Sequence, residues 1–96
     1  MMFDRAKALM ELKKIQSSLA KEIIEVETGD GAVTVRINGE QKIQKITLDK
    51  DKIDLDDLSR LEKWLESAIT QAITRSQQAA ADKMKAVSGS LGIPGL

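Results

Sequence analysis

The sequence predicts an α+β protomer of one helix, a three-stranded antiparallel sheet and a second, much longer helix, and three observations predict it. Apolar side chains recur at spacings of three and four up to Ile23. From Ile24 to Leu48 the spacing changes to two, interrupted by Gly29-Asp30-Gly31 and Asn38-Gly39. From Leu55 the helical spacing returns and runs to about Val87 with no Gly or Pro inside it. Helical and strand periods differ enough that such a switch marks a change of element.

In the first helix Ala8, Leu12, Ile15, Leu19 and Ile23 fall within an arc of roughly 80°, a narrow apolar stripe of the coiled-coil kind. Lys7, Lys14 and Lys21 repeat every seven residues and form a second stripe on roughly the opposite face. Such a stripe reads either as a solvated outer face or as a ladder for a polyanion, and Arg5 and Lys13 beside it strengthen the second reading.

Ile24, Val26 and Thr28 alternate with Glu25 and Glu27, and Val33, Val35 and Ile37 alternate with Thr34, Arg36 and Asn38. Both runs fit half-buried strands. Asn38-Gly39 predicts a two-residue type I′ hairpin, which needs positive φ at both central positions. The third strand is predicted over Lys42–Leu48. There Ile46 and Leu48 are in phase and Ile43 is not, which predicts a bulge or burial on the second face.

Asp54 is the predicted N-cap of the second helix, with Asp56 and Asp57 placing negative charge where the helix dipole favours it. Leu58, Leu61, Leu65, Ala68, Ala72 and Ala79 follow on one face, widened by Ile69 and Ile73. The small residues suit close helix–helix approach, so Leu58, Leu61, Leu65, Ala68, Ile69 and Ala72 are the predicted dimer contacts. Trp64 lies at the edge of this face and is predicted to pack. A helix of this length would span about 48 Å at ~1.5 Å per residue. A compact chain of this size has a radius of gyration near ~12–13 Å. The helix must therefore project, pair with a second copy, or both. The expected organisation is a single domain over residues 1–87 and a flexible tail or arm over residues 88–96, which hold three Gly and the only Pro.

Composition narrows the function. The 96 residues contain no Cys and no His, which removes thiol catalysis, disulfides, thiolate metal sites and the commonest neutral-pH acid–base group. Asp49–Asp57 is dense in carboxylates but lacks the central Gly and terminal Glu of a calcium loop, and Lys50 and Lys52 interrupt it. The glycines fit turns and form no phosphate loop. No metal, cofactor, small-molecule substrate or catalytic set is predicted. No apolar run reaches the ~20 residues of a membrane span, and the charged N-terminal stretch lacks a secretory apolar region. The expectation is a cytoplasmic protein.

Net charge is zero, yet it is unevenly placed. Residues 1–23 hold five basic against three acidic side chains, residues 67–96 three against one, and residues 49–66 four against seven. Both chain ends are basic and the middle is acidic, a distribution that bears on partners as net charge does not. Lys and Arg spaced along a rigid element suit a nucleic-acid backbone. With Phe3 and Trp64 as the only aromatics, no platform for stacking single-stranded bases exists, which favours duplex DNA. Arg5, Lys7, Lys13, Lys14, Lys21, Arg75, Lys83 and Lys85 are the candidate phosphate contacts.

A basic amphipathic helix, the hairpin E-V-x-x-G-D-G-A-V-T-V-x-I-N-G at Glu25–Gly39, the exit I-T-L-D at Ile46–Asp49, a long helix and the close K-M-K-A-V-S-G-S-L-G-I-P-G-L at Lys83–Leu96 come in this order. Together they resemble the YbaB/EbfC family of bacterial nucleoid-associated proteins over nearly the whole chain. The resemblance implies an α-β-β-β-α protomer, a tweezer-like homodimer, and non-catalytic DNA binding at the nucleoid. A protein-interaction adaptor or chaperone-like clamp without DNA binding is the competing expectation.

Overall fold

The computed structural model describes residues 2–91, and side chains over residues 5–86. The order is α1 (Met2–Lys21), β1 (Ile23–Thr28), β2 (Val33–Asn38), β3 (Ile43–Leu48), a single 3₁₀ turn (Lys50–Lys52) and α2 (Leu58–Leu91). The three strands form one antiparallel sheet in chain order, with β2 in the centre. This is the α-β-β-β-α protomer that the sequence predicts.

The alternation of β2 places Val33, Val35 and Ile37 on one face with no exposed surface. Opposite them in the register stand Thr28, Val26 and Ile24 of β1. The helix α2 covers this face, inserting Ala68 and Ala72 into the centre and flanking them with Leu61, Trp64, Leu65 and Ile69. Small side chains at 68 and 72 let the helix axis lie close to the sheet. They have no surface left to offer a second chain, which corrects their assignment to a dimer contact.

The sheet is wider than the helix that covers it. In β3, Ile46 pairs with Val35, Leu48 with Val33 and Ile43 with Ile37, so all three lie on the core face. Yet they remain 43%, 46% and 44% exposed. A bulge between the 36–45 and 37–43 pairs adds one residue and brings Ile43 into phase, the first of the two predicted outcomes.

Four local expectations are corrected. Ile23 belongs to β1, not to the stripe of α1, because α1 stops at Lys21; it is 45% exposed. The β2–β3 turn is not type I′. The left-handed residue is Gln41 (φ 64), and neither Asn38 nor Gly39 has positive φ. The turn closes through Gln41 N–H to Asn38 O at 3.2 Å, and Asn38 N–H pairs with Lys42 O at 3.0 Å, giving a longer loop than two residues. The N-cap of α2 is Asp57, whose Oδ1 accepts from Arg60 N–H at 3.3 Å. Asp54 instead closes a turn before the helix, accepting from Asp56 N–H at 2.9 Å. Finally, α2 continues through Ser88, Gly89 and Ser90 to Leu91, into the stretch expected as a tail; residues 92–96 lie outside the described residues.

At ~1.5 Å per residue the 34 residues of α2 extend about 50 Å. The molecule measures 64 × 22 × 15 Å with a radius of gyration of 18.1 Å, well above the ~12–13 Å of a compact chain this long. The predicted projection is present.

Candidate nucleic-acid interface

The two helices meet where one enters the sheet and the other leaves it. Gly39 N–H donates to Leu19 O at 2.8 Å and to Glu22 O at 3.1 Å, so the β2–β3 turn satisfies carbonyls at the C-terminus of α1. A Cβ on Gly39 would stand 2.9 Å from Leu19 O and 3.1 Å from Leu19 Cα. Here glycine is required by close backbone approach rather than by its φ. Asn38, 4% exposed, adds a donation from Nδ2 to Ala20 O, while its Oδ1 accepts from Glu40 N–H and Lys42 N–H. Ser76 of α2, fully buried, donates to Asn38 O at 2.7 Å and accepts from Gln41 N–H at 3.0 Å. One polar joint thereby fixes α1, the turn and α2 to each other. Buried polar groups are tolerable because each finds a partner.

From this joint the candidate basic residues spread along the helices. Arg5, Lys7, Lys13, Lys14 and Lys21 of α1 are exposed, as are Arg75 and Lys85 of α2. Lys14 makes an ion pair with Glu11 at 3.6 Å, but its side chain is 69% exposed, so solvent screens the pair and Lys14 can still face a polyanion.

Lys83 differs. Its Nζ lies 3.5 Å from Glu22 Oε2 and donates to Ser18 Oγ, bridging α2 to the end of α1. It lines a groove with Lys14, Ser17, Ser18, Lys21 and Glu22. Glu22 Oε2 is buried and has no hydrogen-bond partner among the described residues, so the nearby ammonium compensates its charge. The sequence offers Lys83 as a candidate phosphate contact but gives no sign of Glu22 beside it, because nothing in a linear reading links two residues on different elements. Arg75 lines a second depression with Gln78, Ala79 and Asp82, in which Gln78 Nε2 donates to Asp82 Oδ1 at 2.8 Å.

The acidic middle sits at the other end. Asp49 caps the 3₁₀ turn by accepting from Asp51 N–H, and Lys52 Nζ stands 4.0 Å from Asp49 while donating to Asp30 O at 2.9 Å. These carboxylates act as caps, and among the described residues no group of three metal-ligating side chains converges. Among the described residues no helix is long and apolar enough to cross a membrane.

At this end Trp64 packs flat beneath the β1–β2 turn. Gly29 (φ 64) sits so close that a Cβ would come 2.5 Å from the ring, and Thr28 Oγ1 donates to Trp64 O at 2.8 Å. Arg60 stands 5.0 Å over the indole. The predicted packing role of Trp64 is the one observed.

The fold matches a crystal structure of an uncharacterised protein from Helicobacter pylori with a TM-score of 0.69, over 85% of this chain and 93% of that one; identity is 20%, so the likeness concerns the fold. The chain is 37% identical to a nucleoid-associated protein of Chloroflexus aurantiacus over 84% of its own length and 81% of the relative's. It is 37% identical to one of Myxococcus xanthus over 90% and 82%, and 32% identical to one of Syntrophobacter fumaroxidans over 96% and 84%. The sequence model of the YbaB/EbfC DNA-binding family matches residues 1–91, the whole of α1, the sheet and α2. The chain belongs to the YbaB/EbfC DNA-binding family.

Proposed function

We propose that this protein is a nucleoid-associated, non-enzymatic protein that binds duplex DNA as a homodimer with low sequence specificity. The observation that carries the DNA reading is the row of exposed cations along α1 and the far part of α2, set apart from an acidic body, on a chain of a DNA-binding family. Lys7, Lys14 and Lys21 are the principal phosphate contacts, assisted by Arg5, Lys13, Arg75 and Lys85. Neutralising phosphates releases counterions whatever the base sequence. Of Asn and Gln, the side chains that read adenine edges, α1 carries Gln16 alone, so the lysine row on that helix offers little direct readout.

The dimer reading rests on the uncovered sheet face. Among the described residues the buried hydrophobic side chains are few, and three of them are alanines. A core so small gives a chain of this size marginal stability. Meanwhile Ile43, Ile46 and Leu48 stay exposed on the core face, and Leu48 lines an apolar hollow with Ile53, Leu55 and Leu61. Leu55 is 78% and Leu58 51% exposed. Contiguous apolar surface of this kind marks an interface. It centres the contact on β3 and the start of α2, where Leu58, Leu61, Leu65 and Ile69 keep accessible surface. A second copy of the chain, seated on this face, would also double the number of basic helices facing one duplex.

The test is a fluorescence-anisotropy titration of random-sequence duplex at several salt concentrations, with sedimentation equilibrium at the same protein concentrations. The expected result is a dimer whose log affinity falls linearly with log salt, with a slope of about −0.9 per phosphate contacted, and equal affinities for unrelated sequences. A stable dimer with no binding even at low salt would transfer the reading to a protein-binding clamp. A monomer at micromolar concentration would remove the shared interface.

A further inference from the structure

We infer that Glu22 is a built-in brake on DNA affinity: its carboxylate occupies, on Lys83, the position that a backbone phosphate would take. The inference rests on the DNA reading above and adds the residue that limits its strength. Three observations carry it. The groove at the root of the helices gathers Lys14, Lys21 and Lys83 with the hydroxyls of Ser17 and Ser18, a donor set suited to a phosphate diester; Glu22 is the one carboxylate among the lining residues. Lys83, on the far part of α2, turns back 61 positions in sequence to reach it, with Nζ 3.5 Å from Oε2 and a second bond to Ser18. And Glu22 Oε2 is buried with no hydrogen-bond donor among the described residues, which leaves the Lys83 ammonium to compensate it.

Both side chains remain about one-third exposed, 34% for Lys83 and 37% for Glu22. A phosphate can therefore enter and exchange partners with the carboxylate. The contrast with Lys14 is instructive. Its partner Glu11 sits on the same helix and its side chain is 69% exposed, so the Lys14 pair is screened and yields readily. Lys83 is held between two helices by a charge and a hydroxyl. In the resting protein it contributes no free cation, and on DNA it must first give up Glu22, whose liberated carboxylate then repels the phosphate that displaced it. A protein coating DNA at low specificity gains reversibility from such a competitor.

The experiment compares wild type, Glu22→Gln, Glu22→Asp and, as a control of equal charge change on the exposed start of α2, Glu62→Gln. Each is titrated on the same random-sequence duplex across salt, after circular dichroism and sedimentation confirm fold and assembly. Glu22→Gln is expected to tighten binding roughly three- to tenfold at low salt and to steepen the salt slope by about 0.9 for each protomer engaged. Glu22→Asp keeps the charge but draws the carboxylate back from Lys83. An intermediate gain there separates the grip on Lys83 from net charge, and it also serves if the Gln variant does not fold. A second readout needs no DNA: the rate at which Lys83 is acylated relative to the neighbouring Lys85, followed by mass spectrometry, should rise in both Glu22 variants. Wild type that binds DNA while the Glu22 variants bind no tighter, or while Glu62→Gln tightens binding equally, overturns the brake and leaves the DNA reading intact. An unchanged acylation rate for Lys83 overturns it too. If no variant binds at any salt, the DNA reading falls, and the brake with it.

Discussion

In the body of the molecule Ser76, Asn38 and Thr28 turn their polar atoms inward and find backbone partners, whereas along α1 Arg5, Lys7, Lys13, Lys14 and Lys21 turn theirs to solvent. The same contrast holds for apolar groups. The body packs Val26, Val33, Val35 and Ile37 to near-zero exposure, while Leu9 and Met10 on α1 are each 60% exposed. Affinity for a polyanion depends on charges kept free, and stability depends on groups tied down. On the DNA reading proposed above, a chain this short separates the two duties by region. Mutations should therefore divide, with those in the body moving stability and those on the helical arms moving affinity, and every crossing between the classes would break that separation.

The largest effect belongs to the sheet. Ile37, with no exposed surface, pairs with both Ile24 and Ile43. Ile37→Ala is expected to cost about 2–5 kcal/mol by lost burial and an unfilled cavity. That is a large part of the ~5–15 kcal/mol that holds a typical domain together. Urea unfolding at fixed protein concentration, which matters for a dimer, should show it. The fraction still folded should bind DNA as wild type does; a weakened folded fraction would show that core packing also sets the arms.

Next stands the converse on α1. Reversing Lys7, Lys14 and Lys21 together to Glu is expected to weaken duplex binding at least about a hundredfold at low salt and to flatten the salt slope, equally for all sequences. These side chains are exposed, so the unfolding free energy from urea titration should change by no more than about 0.5 kcal/mol for each substitution. Loss of binding for one sequence alone would point to base readout.

Most of this architecture was legible in the linear sequence, because it is carried by period. Val33, Val35 and Ile37 declare a strand, and Leu61, Leu65, Ala68 and Ala72 a helical face, without help from anything distant. What the sequence hid is what depends on contact between elements. Ala68 and Ala72 suit close approach, but only the structure shows that the approaching backbone is the chain's own sheet rather than a second copy. Asn38-Gly39 reads as a two-residue turn because that pair usually makes one, yet here the helix end at Leu19 claims Gly39 and the left-handed position passes to Gln41. The candidate cations were legible as residues, and all but Lys83 are exposed. Glu22 escaped because its role exists only through Lys83.

A smaller effect sharpens the boundary between the regions. Ser76→Ala removes the hydroxyl that links Asn38 O to Gln41 N–H, and about 1–2 kcal/mol of stability should go with it. Hydrogen exchange at Gly39 and Gln41 should quicken, since the turn loses its tie to α2. DNA affinity should fall less than twofold; a larger fall would make the joint a determinant of how the arms are held.

The smallest expected effect lies at the acidic end, where a cation sits outside the arms. Arg60 stands 5.0 Å over the Trp64 ring and 3.9 Å from Asp57, with about half its side chain exposed. A cation over a ring at a site open to solvent on the cation's side contributes about 0.5–1 kcal/mol, and an exposed ion pair about 0–1 kcal/mol. Arg60→Ala should therefore lower stability by roughly 1 kcal/mol and alter Trp64 fluorescence. Arg60→Lys keeps the charge near Asp57 but loses the planar stacking, so a fluorescence change shared by both variants assigns the effect to the ring contact. Repeating the measurement at high salt weakens the ion pair by screening and leaves the stacked contact largely in place. Arg60 lies more than three helical turns before Arg75 on α2, so duplex affinity should not change in either variant. A loss of affinity on removing this one cation would mean that DNA reaches the acidic body, and the division of duties between the two regions would fail where it is most easily tested.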